Sequence, residues 1–374
     1  MAYLTARVLF TFNFKGMRTF VGYTVLILCC TIYVVSCNQK LTAKLSKAKL
    51  NSNSIFGTDR WKYGDLYGMS NLSYFRKNFK PEKPVYSVSC KSKKDVNLYV
   101  ICDSYVWGFF NTEKVYCGVK KLHIIKINDK GRIDQKIDPS ENNILLLECF
   151  ERNIPALFGD SIYYNSLLAD NKKSQEKPQV YKNTSNNNSF LNKLNALRTE
   201  VFNYIFNRNT NNNLEANVFD MSLFTSVKDF KADLNYALFK AHPKDVIVSQ
   251  HQKQLYYQPT VYSFYPVTAG SLNGYVKGIN AIYSQARKAG FKRVYFSIIP
   301  NPISVLETNV DGRSYNHLID RIQASAELKM PYINAMPILT NMNNKAFNPS
   351  DSHWSQAGAS AWLNLVNSRL ETER

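Results

Sequence analysis

Apolar runs alternate with polar and helix-patterned stretches along most of this chain. The first run is residues 19–37, TFVGYTVLILCCTIYVVSC, uncharged and preceded by Arg7, Lys15 and Arg18. A run of about 18 or more such residues is long enough to cross a bilayer. Two readings fit it. One is an uncleaved signal anchor that leaves the rest of the chain outside the cytoplasm. The other is a bacterial lipoprotein signal, because Val34-Val35-Ser36-Cys37 fits a lipobox and Met17-Arg18 offers an alternative start. Lys40, Lys44, Lys47 and Lys49 follow the run and blur the charge asymmetry that would set orientation. Either reading predicts a membrane-anchored chain on the periplasmic or extracytoplasmic side.

Residues 38–85 are polar and weakly periodic, which predicts a stalk and an irregular lead-in. Continuous apolar runs follow at Asn97–Cys102 and Ile144–Phe150. Runs of this kind suit strands buried on both faces of a parallel sheet. Residues 165–189 turn to Asn, Lys, Ser and Gln and predict a solvated insert. After it, Leu194, Leu197, Val201 and Ile205 form a helical stripe of ordinary packing type. Further on, the pattern predicts a strand at 245–249, a helix from Tyr275 closed by Gly290, and a strand at 293–299. A helix at 315–328, a strand at 332–338 and a final helix at 355–370 complete it. Strands alternating with helices of this length argue for an α/β fold, a three-layer domain with a mainly parallel sheet. That domain is expected over 86–374, with a polar and helical insertion at about 160–243.

Composition narrows the partners. Of 374 residues, 45% are hydrophobic and 13% aromatic, which excludes a wholly disordered chain. The 47 Lys and Arg outnumber 28 Asp and Glu, a formal charge of +19 that favours polyanionic surroundings. The basic residues are scattered, and no zinc-finger or RNA-binding signature accompanies them, so nucleic acid is not the expected partner. Seven cysteines are present; Cys29, Cys30 and Cys37 lie in the anchor. The other four permit disulfides, while Cys102 and Cys149 read as small buried thiols of strands. Their spacing matches no metal site.

Active sites of open α/β sheets gather outside the carboxyl ends of strands. Ser104 falls there, directly after the LYVICD run, with its own N–H available to a developing oxyanion. A serine nucleophile needs a base. Of five histidines, His353 stands out in the loop NPSDSHW before the last helix. Asp351, two residues earlier, is of the right type to accept the Nδ1 proton and leave Nε2 for the serine. Its plain alternative is a helix cap. His123 reads as a surface strand residue, His242 as a turn residue, His251 as part of a polar hairpin-like segment, and His317 as helical.

An Asp-Ser after the first buried strand and an Asp-x-His-Trp before the last helix together resemble the SGNH hydrolase superfamily. DSHW is similar to the block of alginate O-acetyltransferase-like domains, here in unpermuted order with the serine first. LLLECFERNIP, RVYFSIIPNPISV and QKQLYYQP resemble further segments of those domains, the last with Gln254 where Trp is usual.

The resemblance implies Ser104 as nucleophile, His353 as general base and Asp351 as its orienting carboxylate. It sets Arg152 near the oxyanion, the alternative being an ion pair with Glu148 or Glu151, and gives Asp103 the cap of the serine turn. Trp107, Trp354 and Asn301 stand on its substrate side. The serine block reads Cys102-Asp103-Ser104 where the family has Gly-Asp-Ser. A literal Gly159-Asp160-Ser161 makes Ser161 the competing nucleophile. The implied activity is that of an O-acetyltransferase or acetylesterase acting on a cell-surface polysaccharide, without metal or organic cofactor and with a membrane protein as a candidate acetyl donor. The alternative is a catalytically silent glycan-binding protein of the same fold.

Overall fold

The computed structural model describes residues 2–50, 62–78, 90, 95–127, 133, 137–159, 213–241, 243, 245–249 and 251–372. The chain divides into two compact units: Met1–Lys62, Asn71–Ser73 and Tyr181–Leu234 form one; Tyr63–Ser70, Tyr74–Val180 and Asn235–Arg374 form the other.

The first unit is built on the helix Ala2–Ser36. Its stretch Gly16–Ser36 has 21 residues and a mean hydropathy of 2.0. At 1.5 Å per residue it is about 31 Å long, enough to cross a membrane. The helix end is tied down by polar side chains. Asn213 donates its amide to the Ser36 carbonyl at 2.8 Å, and Asn217 reaches the Thr42 hydroxyl at 3.1 Å. Cys37 is buried at this junction. The predicted polar insert, the stripe from Leu194 to Ile205 and the loop residue His242 lie outside the described residues.

The second unit carries a four-stranded parallel sheet. Its strands are β1 (Val96–Cys102), β2 (Val119–Lys126) and β3 (Asn142–Phe150). After the antiparallel hairpin of β4 (Val246–Ser249) and β5 (Gln254–Tyr257) comes β6 (Arg293–Ile299). The order is β2-β1-β3-β6. Alternate residues of β1, β3 and β6 feed two cores. Leu98, Val100, Leu146 and Tyr295 pack with Trp362, Leu363 and Val366 of helix Gln356–Thr372. Tyr99, Ile101, Leu145, Leu147 and Phe296 pack with Val276, Ile279 and Ile282 of helix Ala269–Ala289. Burying each such side chain contributes about 1.5–3 kcal/mol, so both faces must be covered. That is why these strands read as mostly apolar runs without alternation.

Local chemistry sets the helix ends. Thr268 caps Ala269–Ala289 by accepting from Ser271 N–H. Gly290 closes it at φ 108°, left-handed backbone that favours glycine, as the sequence predicts. Three expectations are corrected. The predicted strand 332–338 shrinks to one bridge, Phe296 to Tyr332, and Pro337 instead opens the helix Met336–Met342. The predicted helix 315–328 is confined to Leu318–Gln323, and its start is set by His317, which takes left-handed backbone at φ 54°. The lead-in holds helices at Gln39–Leu50, Asp65–Ser70 and Ser73–Asn78, and Tyr63–Ser70 belongs to the sheet unit. Cys90 and Cys117 form a disulfide, while Cys102 and Cys149 are buried free thiols.

Candidate active site

In this strand order the chain leaves β1 towards β2 and leaves β3 towards β6. Such a reversal opens a crevice at the carboxyl ends of the two central strands. Ser104 stands there after β1 and Arg152 after β3. The turn after β1 is shaped by Asp103, which is buried and caps the four-residue helix Ser104–Trp107. One of its carboxylate oxygens accepts from Tyr105 N–H at 2.9 Å; the other accepts from Phe150 N–H at 2.8 Å. Asp103 therefore joins the ends of β1 and β3. Its own N–H donates to the buried carboxyl of Glu148 at 3.1 Å. Ser104 N–H opens the helix and has no intrahelical acceptor.

The partner loop is held from three sides. Asn348 donates to the Trp354 carbonyl at 2.9 Å and closes the loop. Gln254 of β5 reaches the Asn348 carbonyl at 2.6 Å, and Leu255 N–H donates to Pro349 at 2.8 Å. From beneath, the Tyr105 hydroxyl donates to the Ser352 carbonyl, and its ring centroid lies 4.7 Å from that of His353. Trp354 fills the core against Tyr105, Phe110 and Trp362.

These supports bring three side chains into one line. Ser104 Oγ is 2.9 Å from His353 Nε2, and His353 Nδ1 is 2.7 Å from Asp351 Oδ1. Asp351 also accepts from His353 N–H at 2.9 Å. The carboxylate fixes the tautomer with the proton on Nδ1, which leaves Nε2 as an acceptor for the serine proton. Burial pushes the imidazole towards neutrality. The hydrogen bond and charge of Asp351, with Asp65 and Asp103 adding, outweigh that and raise its pKa above the ordinary value. Burial opposes ionisation of Asp351 too, but its bonds to His353 hold its pKa below the usual carboxylate range.

No family model, curated protein or solved structure matches this chain.

Of the residues singled out in the sequence, Ser104, His353, Asp351 and Asp103 converge. Cys102, where glycine was expected, ends β1 in ordinary extended backbone and creates no strain. Arg152 makes no ion pair with Glu148 or Glu151 among the described residues. It stacks on Phe150 and Tyr257, with its guanidinium carbon 4.5 and 5.0 Å from the ring centroids, and its Nη1 is buried without a hydrogen-bond partner. Glu151 instead accepts from Asn301 N–H at 2.9 Å and the Tyr315 hydroxyl at 3.0 Å. Arg152 also edges a cleft of about 270 Å³ that includes Tyr262, Tyr265 and Tyr275.

Two substrate-side expectations are corrected. Trp354 and Asn301 are both 0% exposed, so Trp354 is core and Asn301 is a strut that donates to Ser263 at 2.6 Å. Trp107, 48% exposed with Lys126 Nζ 4.9 Å from its ring, keeps an open face. Ser161 lies outside the described residues.

Asp65 was missed. It sits in the polar lead-in and bonds the loop 286 residues away, and no local pattern signals such a contact. Asp65, Asp351 and His353 bring three ligand-type atoms within 4.8 Å of one another. Asp351 is already bonded to His353 and Asp65 to Ser352, so the group is a hydrogen-bond network in which the three atoms have partners.

Proposed function

We propose that this protein is an envelope-anchored SGNH-type O-acetyltransferase or acetylesterase acting on a cell-surface polysaccharide. The observation that carries the proposal is the hydrogen-bonded line Ser104–His353–Asp351 at the carboxyl ends of the central strands. Ser104 Oγ attacks the acetyl carbonyl while its proton passes to His353 Nε2. Asp351 stabilises the imidazolium that forms. The tetrahedral oxyanion is assigned to Ser104 N–H, with the guanidinium of Arg152, which edges the cleft after β3, as the second donor. Collapse of the intermediate expels the donor alcohol, which takes the proton from His353, and leaves an acetyl-serine. A sugar hydroxyl or water then attacks that ester by the same proton route in reverse.

The anchor helix supports extracytoplasmic placement, either as a transmembrane segment or as a lipoprotein signal ending at Cys37. The Cys90–Cys117 disulfide agrees with an oxidising compartment. Exposed Trp107 and the Tyr262–Tyr265 cleft supply faces on which sugar rings stack. The net charge of +19 suits an anionic glycan. A membrane acetyl carrier is the natural donor for an anchored transferase.

Incubating the purified full chain with an acetyl ester and candidate surface polysaccharides tests the proposal. Acetyl groups should appear on one glycan faster than the donor is hydrolysed, and Ser104→Ala should abolish the transfer. Transfer undiminished in Ser104→Ala would reject it. Glycan binding with neither acetyl transfer nor Ser104-dependent hydrolysis of the ester would favour the silent binding protein.

A further inference from the structure

We infer that Asp65 is a positioning residue for the His353 base, and that Tyr63–Ser70 belongs to the catalytic site rather than to a stalk. The inference rests on the reading of Ser104, His353 and Asp351 as a triad.

Asp65 fastens the histidine loop at both ends of its carboxylate. Oδ1 accepts from Ser352 N–H at 2.7 Å, and Oδ2 accepts from the Ser352 hydroxyl. Its own N–H donates to Asp351 Oδ2 at 3.2 Å. Since Asp351 Oδ1 already holds His353, this second bond uses the other oxygen and fixes the carboxylate plane behind the imidazole. Tyr67 N–H adds a bond to the Ser350 carbonyl at 3.0 Å. Gly64 makes the approach feasible. It has φ +98°, and a Cβ there would lie 2.3 Å from the Ser350 carbonyl oxygen. Leu66 and Tyr67 are buried and seat the segment.

A loop fastener alone does not need a carboxylate. Asparagine would accept from Ser352 N–H without setting a second acid beside Asp351. Burial and the Asp351 charge both oppose ionisation of Asp65 and raise its pKa. That cost has a use. The charges that raise the His353 pKa are those of Asp351, Asp65 and Asp103; the Tyr105 and Phe109 rings and the Ser104 and Ser352 hydroxyls also face the imidazole. Asp65 adds negative potential where the imidazolium forms.

The test is the pH profile of 4-nitrophenyl acetate hydrolysis by the full chain in detergent. Asp65→Ala should lower kcat by about 100-fold with little change in KM, the usual effect of displacing a catalytic group by about 1 Å. Asp65→Asn keeps an acceptor for Ser352 N–H, so its kcat should fall less. Its acidic limb should nevertheless move to lower pH, because removing a negative charge lowers the imidazole pKa. A folded Asp65→Asn enzyme with an unshifted limb and wild-type kcat overturns the inference, even if Asp65→Ala fails to fold. If Ser104→Ala and His353→Ala also hydrolyse the ester at the wild-type rate, the triad reading has failed and this inference with it. If those two are inactive while both Asp65 variants match wild type, the Asp65 role alone is wrong.

Discussion

Ser104 Oγ and His353 Nε2 stand 2.9 Å apart although 249 residues separate them in the chain. Asp103 under the serine and the Gln254 and Leu255 bonds under the histidine loop fix that distance from opposite sides. The pair is therefore set by the sheet and its hairpin.

Asp351→Asn tests the orienting carboxylate. The amide matches the carboxylate in shape but lacks its charge and competes for the histidine tautomer. Acyl-transfer kcat should fall by about 10³–10⁴-fold. The residual rate should have its acidic limb at lower pH, because Asp351 raises the His353 pKa. A rate-pH profile measures both, and an unshifted limb would separate Asp351 from the base.

Glu148 predicts a pH-dependent stability. Burial first, then the Asp103 charge, holds its folded-state pKa well above the ordinary 4.5. The folded protein keeps a proton that the unfolded chain releases, so this contribution is complete below about pH 4.5 and declines as pH rises towards the folded-state value. Glu148→Gln keeps an acceptor for Asp103 N–H and removes the decline. Its Tm advantage over wild type should be absent near pH 4 and grow as pH rises through the neutral range. A constant difference across that range would contradict this assignment.

The two tryptophans near the site should behave oppositely. Trp354→Ala empties a fully buried position and should cost about 3–5 kcal/mol in denaturant unfolding. Trp107→Ala, at a half-exposed ring, should leave stability within about 0.5 kcal/mol while raising KM for the glycan acceptor. Equal destabilisation by both would place Trp107 in the core.

The Cys90–Cys117 bond closes a loop of 27 residues. Reduction, or Cys117→Ser, should destabilise the sheet unit by about 3–4 kcal/mol from loop entropy. Urea unfolding with and without reductant provides the comparison.

What was legible in the sequence follows from how local each cause is. β1, β3 and β6 were readable because burial on both faces leaves mostly apolar runs without alternation. Ser104 was readable because it follows closely on β1, and His353 because it lies in the loop before the last helix. The segment 332–338 misled because its apolar content resembles a strand, although Pro337 belongs at the start of a helix. Trp354 and Asn301 were read as substrate-side because position beside a site does not reveal burial. Asp65 was invisible, since its partners come from the far end of the chain and its own neighbourhood is polar.

Labelling the purified full chain with a serine-reactive phosphonate, followed by peptide mass spectrometry, tests the central claim most directly. The account predicts a single label on Ser104 that disappears in His353→Ala. Label on Ser161, or no serine labelled while active control enzymes react, would contradict it.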